Sequence, residues 1–375
     1  MKKLLCLFLI LCLVLSCAAL GDEALNEKCL DQFKLVMMFI VGKTDANRAV
    51  SATQWGGEAY NTVYLYSLWN SWKAGTARFE DLAAEELSAE GSELTLRITG
   101  KYVCSYREVD DCTYELDYTV TYDVSGYPKI KTLRLSRNGE TETLPTPDEG
   151  LKLEKIYRDR FVCYCLTVYD PARVFVGVGD EYFKHGLKIE EIAEKYSAVA
   201  AVNGNTFQDE GGSGNGGSPL GFIASQGRFL TPFSGAYPMA LLCEDGSLQV
   251  GVFNRTQAEE MGVRDGVAFG PLLIKDGAKQ NFNPTATGLN PRTVIGQNGD
   301  GAIVLLVADG RDADSPGASY GDMADLCLEL GMVSALNLDG GPSSTMVIEG
   351  RQVNGNGVNS GFRAVPCAVL IAPAE

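Results

Sequence analysis

The feature that most constrains this sequence is a series of short apolar segments, each ended by glycine, that extends from residue 151 to the C-terminus. Segments such as "RVFVGVG", "AVAAVNG", "IVLLVADG" and "VSALNLDGG" are apolar almost throughout, which predicts strands that are covered on both faces. Within residues 151–375, helical periodicity is confined to two stretches, Ile189–Tyr196 and Tyr320–Leu330, and Gly331 ends the second. We therefore expect a mixed β-sheet with helical cover.

The first 150 residues show a different pattern. Two stretches, Leu25–Gly42 and Tyr60–Ala74, are predicted to be helices. Period-2 alternation follows in "ELTLRITGKYVCSYREV", "TYELDYTVTYDV" and "KIKTLRLSRNGE", which predicts an antiparallel hairpin sheet. The fold class is thus α+β, and the expected organisation is a small α+β domain of unknown role over residues 22–143, a linker over residues 144–150 and a larger domain over residues 151–375.

The N-terminus has the features of a targeting signal. Lys2 and Lys3 precede an apolar run, Leu4–Leu15, that is too short to span a bilayer. The small residues that follow predict a signal peptide over residues 1–21, and "VLSC" also resembles a bacterial lipobox with Cys17 as the lipidated residue. Secretion, lipidation and a retained anchor all place the folded chain outside the cytoplasm. The lipid anchor is the membrane contact that we expect.

Charge and composition narrow the possible functions. A net charge of −16 argues against a nucleic-acid partner, because phosphate backbones are bound by surfaces rich in Lys and Arg. An anionic substrate would have to be bound by a few well-placed arginines instead. The single histidine, His185, lies in a predicted loop with no G-x-S-x-G sequence near it, which favours a surface residue over a triad base. The acids and bases of an enzyme built on this sequence would be carboxylates, as in glycosyl transfer chemistry.

Metal and disulfide chemistry have little support in the sequence. The absence of a C-x-x-C pair and of a second histidine argues against a structural zinc site. No cofactor is expected, although the carboxylates remain compatible with a divalent cation such as calcium. Cys104 and Cys112 flank a short polar stretch that is compatible with a hairpin disulfide.

Polar side chains follow several of the predicted buried strands, and sites in sheet proteins are commonly built where such strand ends converge. Single D-G and N-G pairs are more often ordinary turns, so only the combination points to a site. The candidate catalytic residues are Asp309 and Asp339. The candidate substrate-binding residues are Asn203, Asn205, Arg292, Arg311, Asn337, Gly340, Gly341, Ser343, Ser344 and Arg363.

Six motifs occur in order along the larger domain: "AVNGNTF", "GPLLIKDG", "NPRTVIG", "LLVADGR", "YGDMADLCLELG" and "ALNLDGGPSSTMV". In order and approximate spacing they resemble the phosphodiester glycosidase family, which includes the mannose 6-phosphate uncovering enzyme. The resemblance covers residues 151–375, and its last motif is highly specific. Two departures are "NGNTF" at Asn203–Phe207, where the family has N-G-G-F-F, and "DADSPGAS" after Arg311, where the family tends to be shorter.

This resemblance implies hydrolysis at the anomeric carbon of a sugar 1-phosphodiester of the N-acetylglucosamine 1-phosphodiester type. Sugar and a phosphomonoester would be released. Asp309 or Asp339 would stabilise or attack the positively charged sugar of the transition state. The candidate arginines would stabilise the leaving phosphate, while the candidate amides and hydroxyls would position sugar hydroxyls or phosphate oxygens.

The substrate implied by the resemblance is a glycosyl phosphodiester in a surface polymer or phosphoglycan, for example a teichoic acid. Two other functions remain open from the sequence. One is a non-catalytic glycan-binding module of a cell-envelope assembly, and the other is a phosphodiesterase that attacks phosphorus.

Overall fold

The computed structural model describes residues 23–40, 46–67, 77–106, 109–209, 214–232, 234–355 and 363–374. The predicted signal peptide, with its lipobox cysteine Cys17, lies outside these residues. None of the helices formed by the described residues is long and apolar enough to cross a membrane. The chain divides into two compact units between Ser136 and Arg137.

The first unit contains helices followed by one antiparallel sheet, as predicted. Its helices are α1 (residues 23–40), α2 (Ala46–Ala52) and α3 (Glu58–Ser67). The strands, in spatial as well as chain order, are β1 (Ala77–Glu90), β2 (Glu93–Tyr106), β3 (Val109–Asp123) and β4 (Lys129–Leu135).

Alternation along β3 explains how this unit is packed. Tyr118 and Tyr122 point to the same face of β3 and are fully buried. The ring of Phe33 in α1 packs edge-on against Tyr118 with centroids 5.6 Å apart, and the Tyr122 hydroxyl donates to the Cys29 carbonyl at 2.9 Å. The helix therefore covers the apolar face of the sheet.

The second unit is built on three antiparallel sheets. The largest has eight strands, in the spatial order β16 (Ala278–Lys279), β15 (Leu272–Lys275), β19 (Met332–Asn337), β17 (Arg292–Asn298), β18 (Ile303–Ala308), β7 (Phe161–Val168), β6 (Leu151–Arg158) and β5 (Thr141–Leu144). The β9 sheet has five strands, in the order β21 (Arg351–Gln352), β20 (Met346–Ile348), β9 (Ala200–Asn203), β22 (Cys367–Ile371) and β8 (Val174–Val178). The β14 sheet also has five, in the order β11 (Arg228–Phe229), β10 (Ile223–Ser225), β14 (Val263–Ala268), β12 (Tyr237–Cys243) and β13 (Leu248–Phe253). The helices are α4 (Ile189–Lys195), α5 (Arg255–Glu260) and α6 (Tyr320–Glu329).

The domain boundary differs from the one expected from the sequence. Thr141–Leu144 forms β5 and pairs with β6, so these residues belong to the second unit. The division between Ser136 and Arg137 thus precedes the stretch 144–150 that was expected to be the linker. Three of the four residues of β5 are exposed, so the strand lacks the apolar pattern that would have predicted it.

The predicted α+β class is confirmed, but the prediction of a mixed sheet was wrong. All pairings between the strands named above are antiparallel. β18 and β19 do run in the same direction, but the antiparallel β17 lies between them. Their apolar runs reflect cover on both faces rather than parallel pairing.

Helix α6 covers one face of the eight-stranded sheet. Its Met323 and Leu326 belong to the same buried cluster as Val294 of β17 and Leu306 of β18. On the opposite face of β17, the Gln297 side chain accepts a hydrogen bond at 3.2 Å from the Leu248 amide of β13. Both sides of the central strands are thereby closed to water.

The sequence determines both ends of α6. The Ser319 hydroxyl accepts from the Asp322 amide at 3.2 Å, and the Asp322 carboxylate accepts from the Ser319 amide at 2.7 Å, which forms a capping box. Gly331 follows the helix with a φ of +71°, a conformation that favours glycine. The helix predicted over this stretch is confirmed.

Candidate active site

The two candidate aspartates follow strands that end at one edge of the eight-stranded sheet. Ala308, the residue before Asp309, pairs with Arg292 at the start of β17, and Asn337 pairs with Val294 on the other side of the same strand. Because neighbouring strands lie about 5 Å apart, β18 and β19 are separated by about 10 Å across β17. The structure thus places Asp309, Arg292 and the segment that leads to Asp339 at one edge.

Asn203 joins this edge to the end of β9. Its Nδ2 donates to the Asp339 carbonyl at 2.8 Å, while its Oδ1 accepts from the Thr293 hydroxyl at 2.7 Å and from the Thr345 amide at 3.1 Å. Asn203 is fully buried. These hydrogen bonds hold the backbone on both sides of the Gly340–Ser344 segment, so Asn203 positions the segment that carries Asp339.

The glycines after Asp339 allow the chain to pass close to Arg311. Gly341 has a φ of +61°, and a Cβ added there would lie 3.1 Å from Nη2 of Arg311. Arg311 itself has a φ of +65°, which is uncommon for a residue with a side chain. Its Nε and Nη2 donate to Oδ1 of Asn290 at 2.9 and 2.6 Å. The guanidinium is therefore fixed against the turn that follows Asp339.

Arg292 lies deeper than Arg311. Its Nε donates to the Ala318 carbonyl at 3.0 Å, its Nη2 donates to the Thr287 hydroxyl and the Gly288 carbonyl at 2.7 and 2.9 Å, and its guanidinium lies 4.1 Å from the Tyr320 ring centre. Most of its donors are therefore engaged by the protein.

Arg363 approaches from the chain before β22. Its Nη2 lies 2.5 Å from Oδ1 of Asp209, and its guanidinium lies 4.5 Å from the centre of the Phe207 ring. Burial raises the pKa of Asp339, and the positive charge of Arg363 opposes that rise. Arg363 is thus the candidate arginine whose field acts on Asp339.

Asp339 is the more exposed of the two aspartates. Burial raises its pKa, while the Ser343 and Thr206 hydroxyls, the Gly340 amide and the charge of Arg363 oppose that rise. The residue is partly accessible, whereas Asp309 is buried.

Asp309 is buried, with 6% of its surface exposed, and burial raises its pKa to about 7. Asn354 donates to Oδ1 of Asp309 at 3.0 Å and to the Ser344 carbonyl at 3.2 Å, and it accepts from the Met346 amide at 2.6 Å. Asn354 therefore connects Asp309 to the segment after Asp339. Asn354 was not predicted from the sequence, where its only signal is an N-G pair typical of a turn.

Three other candidates are fully buried or nearly so. Asn205 uses Nδ2 to bond the Leu220 and Phe222 carbonyls at 3.0 and 2.9 Å and Oδ1 to accept from the Ala268 amide at 3.0 Å, so its side chain holds backbone. Asn337 donates to the Gly270 carbonyl at 3.1 Å, and its buried Oδ1 has no hydrogen-bond partner among the described residues. The buried Ser344 hydroxyl likewise has none within the described part of the chain. The last two atoms retain hydrogen-bonding capacity.

The single histidine, His185, lies at the surface. The His185 side chain is half exposed, and its Nδ1 lies 3.6 Å from a carboxylate oxygen of Glu181. Within the described ranges, no group of three or more His, Cys, Asp or Glu side chains is arranged to hold a metal ion.

Comparison with known proteins bears on this arrangement. Residues 196–372 match the family model described as phosphodiester glycosidase. The resemblance to the phosphodiester glycosidase family is confirmed. The matched region contains both aspartates and all of the candidate substrate-binding residues.

Two curated relatives share this similarity. Human N-acetylglucosamine-1-phosphodiester alpha-N-acetylglucosaminidase is 28% identical over 256 residues, which covers 60% of this chain and 48% of the human protein. The SPbeta prophage-derived uncharacterized protein YomE of Bacillus subtilis (strain 168) is 28% identical over 295 residues, which covers 74% of this chain and 43% of YomE. The chain thus spans less than half the length of these relatives.

A solved structure shares the fold. The catalytic domain of zebrafish N-acetylglucosamine-1-phosphodiester alpha-N-acetylglucosaminidase superposes with a TM-score of 0.51 at 21% identity, which covers 63% of this chain and 88% of that domain.

Proposed function

We propose that this chain hydrolyses the anomeric bond of a sugar 1-phosphodiester and releases the free sugar and a phosphomonoester. The observation that carries the proposal is the meeting of Asp309, Asp339 and Arg311 at one sheet edge within the region that matches the phosphodiester glycosidase family. The name of the human relative supports a substrate of the N-acetylglucosamine 1-phosphodiester type.

Asp339 is the residue that acts on the sugar. Cleavage of the anomeric bond leaves positive charge on the sugar ring, which a carboxylate stabilises or attacks. Asp339 is suited to this role because the residue is partly accessible and because the charge of Arg363 opposes the rise in pKa that burial causes. Glycines follow it, so the backbone leaves room for a ring to approach.

Asp309 is suited to a role in proton transfer. Its pKa of about 7 lets it exchange a proton near neutral pH. A water molecule that attacks the anomeric carbon must lose a proton, and a phosphomonoester formed by cleavage can gain one. Asp309 serves one of these transfers, and Asn354 keeps its carboxyl in place.

Arg311 stabilises the leaving phosphate. A phosphate monoanion or dianion is a good leaving group, so electrostatic stabilisation is more important than protonation. The guanidinium is held in one orientation by Asn290 and lies beside Gly341. The chemistry proposed here uses no cofactor, because each step is assigned to a side chain of the protein.

The proposed substrate is a glycosyl phosphodiester of a surface polymer or phosphoglycan outside the cytoplasm. The support for this location is the signal-like sequence of residues 1–21, with Cys17 in a lipobox-like position. The net charge of −16 is in keeping with recognition by a few arginines rather than by a basic surface.

The test is hydrolysis of a phenyl ester of N-acetylglucosamine 1-phosphate in water enriched in oxygen-18. With the wild type, we expect the released sugar to carry the isotope. For Asp339→Asn, we expect kcat to fall at least roughly 100-fold. Asp300→Asn, an exposed aspartate in the turn before β18, is the matched control and keeps the wild-type rate. Isotope found in the phosphate would instead show a phosphodiesterase, and binding without turnover would show a glycan-binding module.

A further inference from the structure

A short turn after Arg311 brings a third carboxyl to Asp309. Asp312 and Ser315 exchange backbone hydrogen bonds of 3.2 and 3.3 Å, which leaves Asp314 near the tip of the turn. The Ser315 hydroxyl donates to the Asp309 carbonyl at 3.1 Å and accepts from the Val162 amide at 3.0 Å. The turn is therefore fixed to the ends of both β18 and β7.

Strands β6 and β7 add a phenol and a cation beside this turn. Tyr164 pairs with Val307 of β18, and Lys155 pairs with Tyr164. The Lys155 ammonium lies 5.6 Å from the centre of the Tyr164 ring. Both strands precede the matched region that begins at residue 196, whereas Asp314 lies inside it, between the motifs "LLVADGR" and "YGDMADLCLELG". The cluster thus combines residues from outside and inside the matched region.

The charges of Asp314 and Lys155 act on Asp309 in opposite senses. The negative charge of Asp314 raises the pKa of Asp309 beyond the larger effect of burial, while the charge of Lys155 lowers it. Burial raises the pKa of the half-buried Asp314 to about 6, and Lys155 opposes that rise too. Burial and then the two carboxylates raise the pKa of Tyr164, so this phenol stays protonated.

The other neighbours of Asp309 favour its ionised form or stay neutral. The Asn354 side chain and the Gly355 amide donate hydrogen bonds that lower the pKa of Asp309. The buried thiol of Cys163, next to Tyr164 on β7, has a raised pKa and stays protonated. Asp314 and Lys155 are thus the charged residues that oppose each other around Asp309.

We propose that Asp314 is a positioning residue for the reaction, held beside Asp309 by the turn Asp312–Ser315 and opposed by Lys155, and that its charge favours the protonated form of Asp309. The inference rests on the proposed function. When two carboxyls lie close together, ionisation of one makes ionisation of the other harder. With one proton bound, the more buried Asp309 retains it and the more exposed Asp314 carries the charge.

The test is the pH dependence of kcat/KM in three variants of the full chain. Asp314→Asn removes a like charge. The limb of the kcat/KM pH profile that reflects the ionisation of Asp309 should therefore move to lower pH by roughly one pH unit. Lys155→Gln should move the same limb to higher pH, and Asp300→Asn, which removes a charge at the other end of β18, should not move it. Coincident profiles for Asp314→Asn and Asp300→Asn would overturn the proposal, since a merely structural role lowers the rate without moving the limb.

A second measurement separates this inference from the proposed function. Carboxyl NMR of the chain labelled with carbon-13 aspartate, with Asp309→Asn to assign the resonance, follows the titration of Asp309 without substrate. If the wild type releases no sugar, the proposed function fails, and this titration then decides whether Asp314 controls Asp309. If Asp314→Asn does not fold, Lys155→Gln provides the test, because it should move the titration of Asp309 to higher pH. An unchanged titration of Asp309 in that variant overturns the inference.

Discussion

Asn354 donates a hydrogen bond of 3.0 Å to the buried carboxyl of Asp309, and the same amide nitrogen bonds the Ser344 carbonyl at 3.2 Å. One side chain thus connects the end of β18 to the segment that follows Asp339. Since Asp309 and Asp339 come from strands on opposite sides of β17, their relative position depends on this connection as well as on the sheet.

Replacement of Asn354 by alanine should therefore lower activity and shift one limb of the pH profile of kcat/KM. The change leaves the Met346 amide buried without its acceptor, which costs about 1–3 kcal/mol of stability. The pKa of Asp309 should rise, because a donor to its ionised form is lost. We expect kcat/KM to fall at least roughly tenfold and its neutral limb to move to higher pH. Asn298→Ala, which removes side-chain caps from the β17–β18 turn, is the control and should lose stability without moving the limb.

The raised pKa of Asp309 also predicts how stability depends on pH. The folded state holds the proton of Asp309 up to about pH 7, whereas the unfolded chain releases it near the ordinary value of 3.8. The folded state therefore loses relative stability as pH rises between these values. Asp309→Asn removes this loss. Between pH 4 and pH 8, the free energy of unfolding of the variant should therefore rise relative to that of the wild type by up to about 4 kcal/mol.

Urea unfolding at both pH values measures that difference. Asp300→Asn, with its exposed side chain, should follow the wild-type dependence. An unchanged stability difference between wild type and Asp309→Asn at the two pH values would show that Asp309 ionises normally in the folded protein.

Much of this site could be predicted from the sequence because its main residues lie within local motifs. Polar residues directly after apolar runs mark strand ends, and the structure does bring the ends of β18 and β19 to one edge. Gly331 also predicted the C-terminal end of α6, since this signal acts within one turn of the helix.

The residues that the sequence did not reveal act over long separations. Asn354 meets Asp309 across 45 positions, and Lys155 reaches it through the lateral order of β6, β7 and β18. No local pattern encodes such contacts.

Strand β1 and strand direction were missed for a different physical reason. The β1 segment "EDLAAEELSAE" has a composition that favours helix, yet its pairing with β2 extends from Ala77 to Glu90. Tertiary pairing overrides the local propensity there. Likewise, an apolar run shows that both faces of a strand are covered, but it does not show the direction of the neighbouring strand.

Gly341→Ala tests the close approach of the backbone to Arg311. Its φ of +61° strains any side chain, and the new Cβ would lie 3.1 Å from Nη2 of Arg311. Gly350→Ala is a matched control, because Gly350 has a φ of +72° but nothing within 4 Å of the new Cβ. Both variants should lose about 1 kcal/mol of stability from backbone strain. Only Gly341→Ala should also displace Arg311 and reduce kcat by roughly tenfold or more; equal kcat values in the two variants would place Arg311 outside the reaction.

Arg363→Gln tests whether this arginine acts on the ionisation of Asp339. Burial raises the pKa of Asp339 and the positive charge of Arg363 opposes that rise, so loss of this charge should raise the pKa further and move the acidic limb of the kcat/KM profile to higher pH. Binding should weaken as well, because Arg363 also holds Asp209 and stacks on Phe207 beside the site. Arg351→Gln, a change of an exposed arginine in the same unit, is the control. If both variants keep the wild-type acidic limb, Asp339 does not titrate under the influence of Arg363, and the assignment of Asp339 as the ionised carboxylate loses its electrostatic basis.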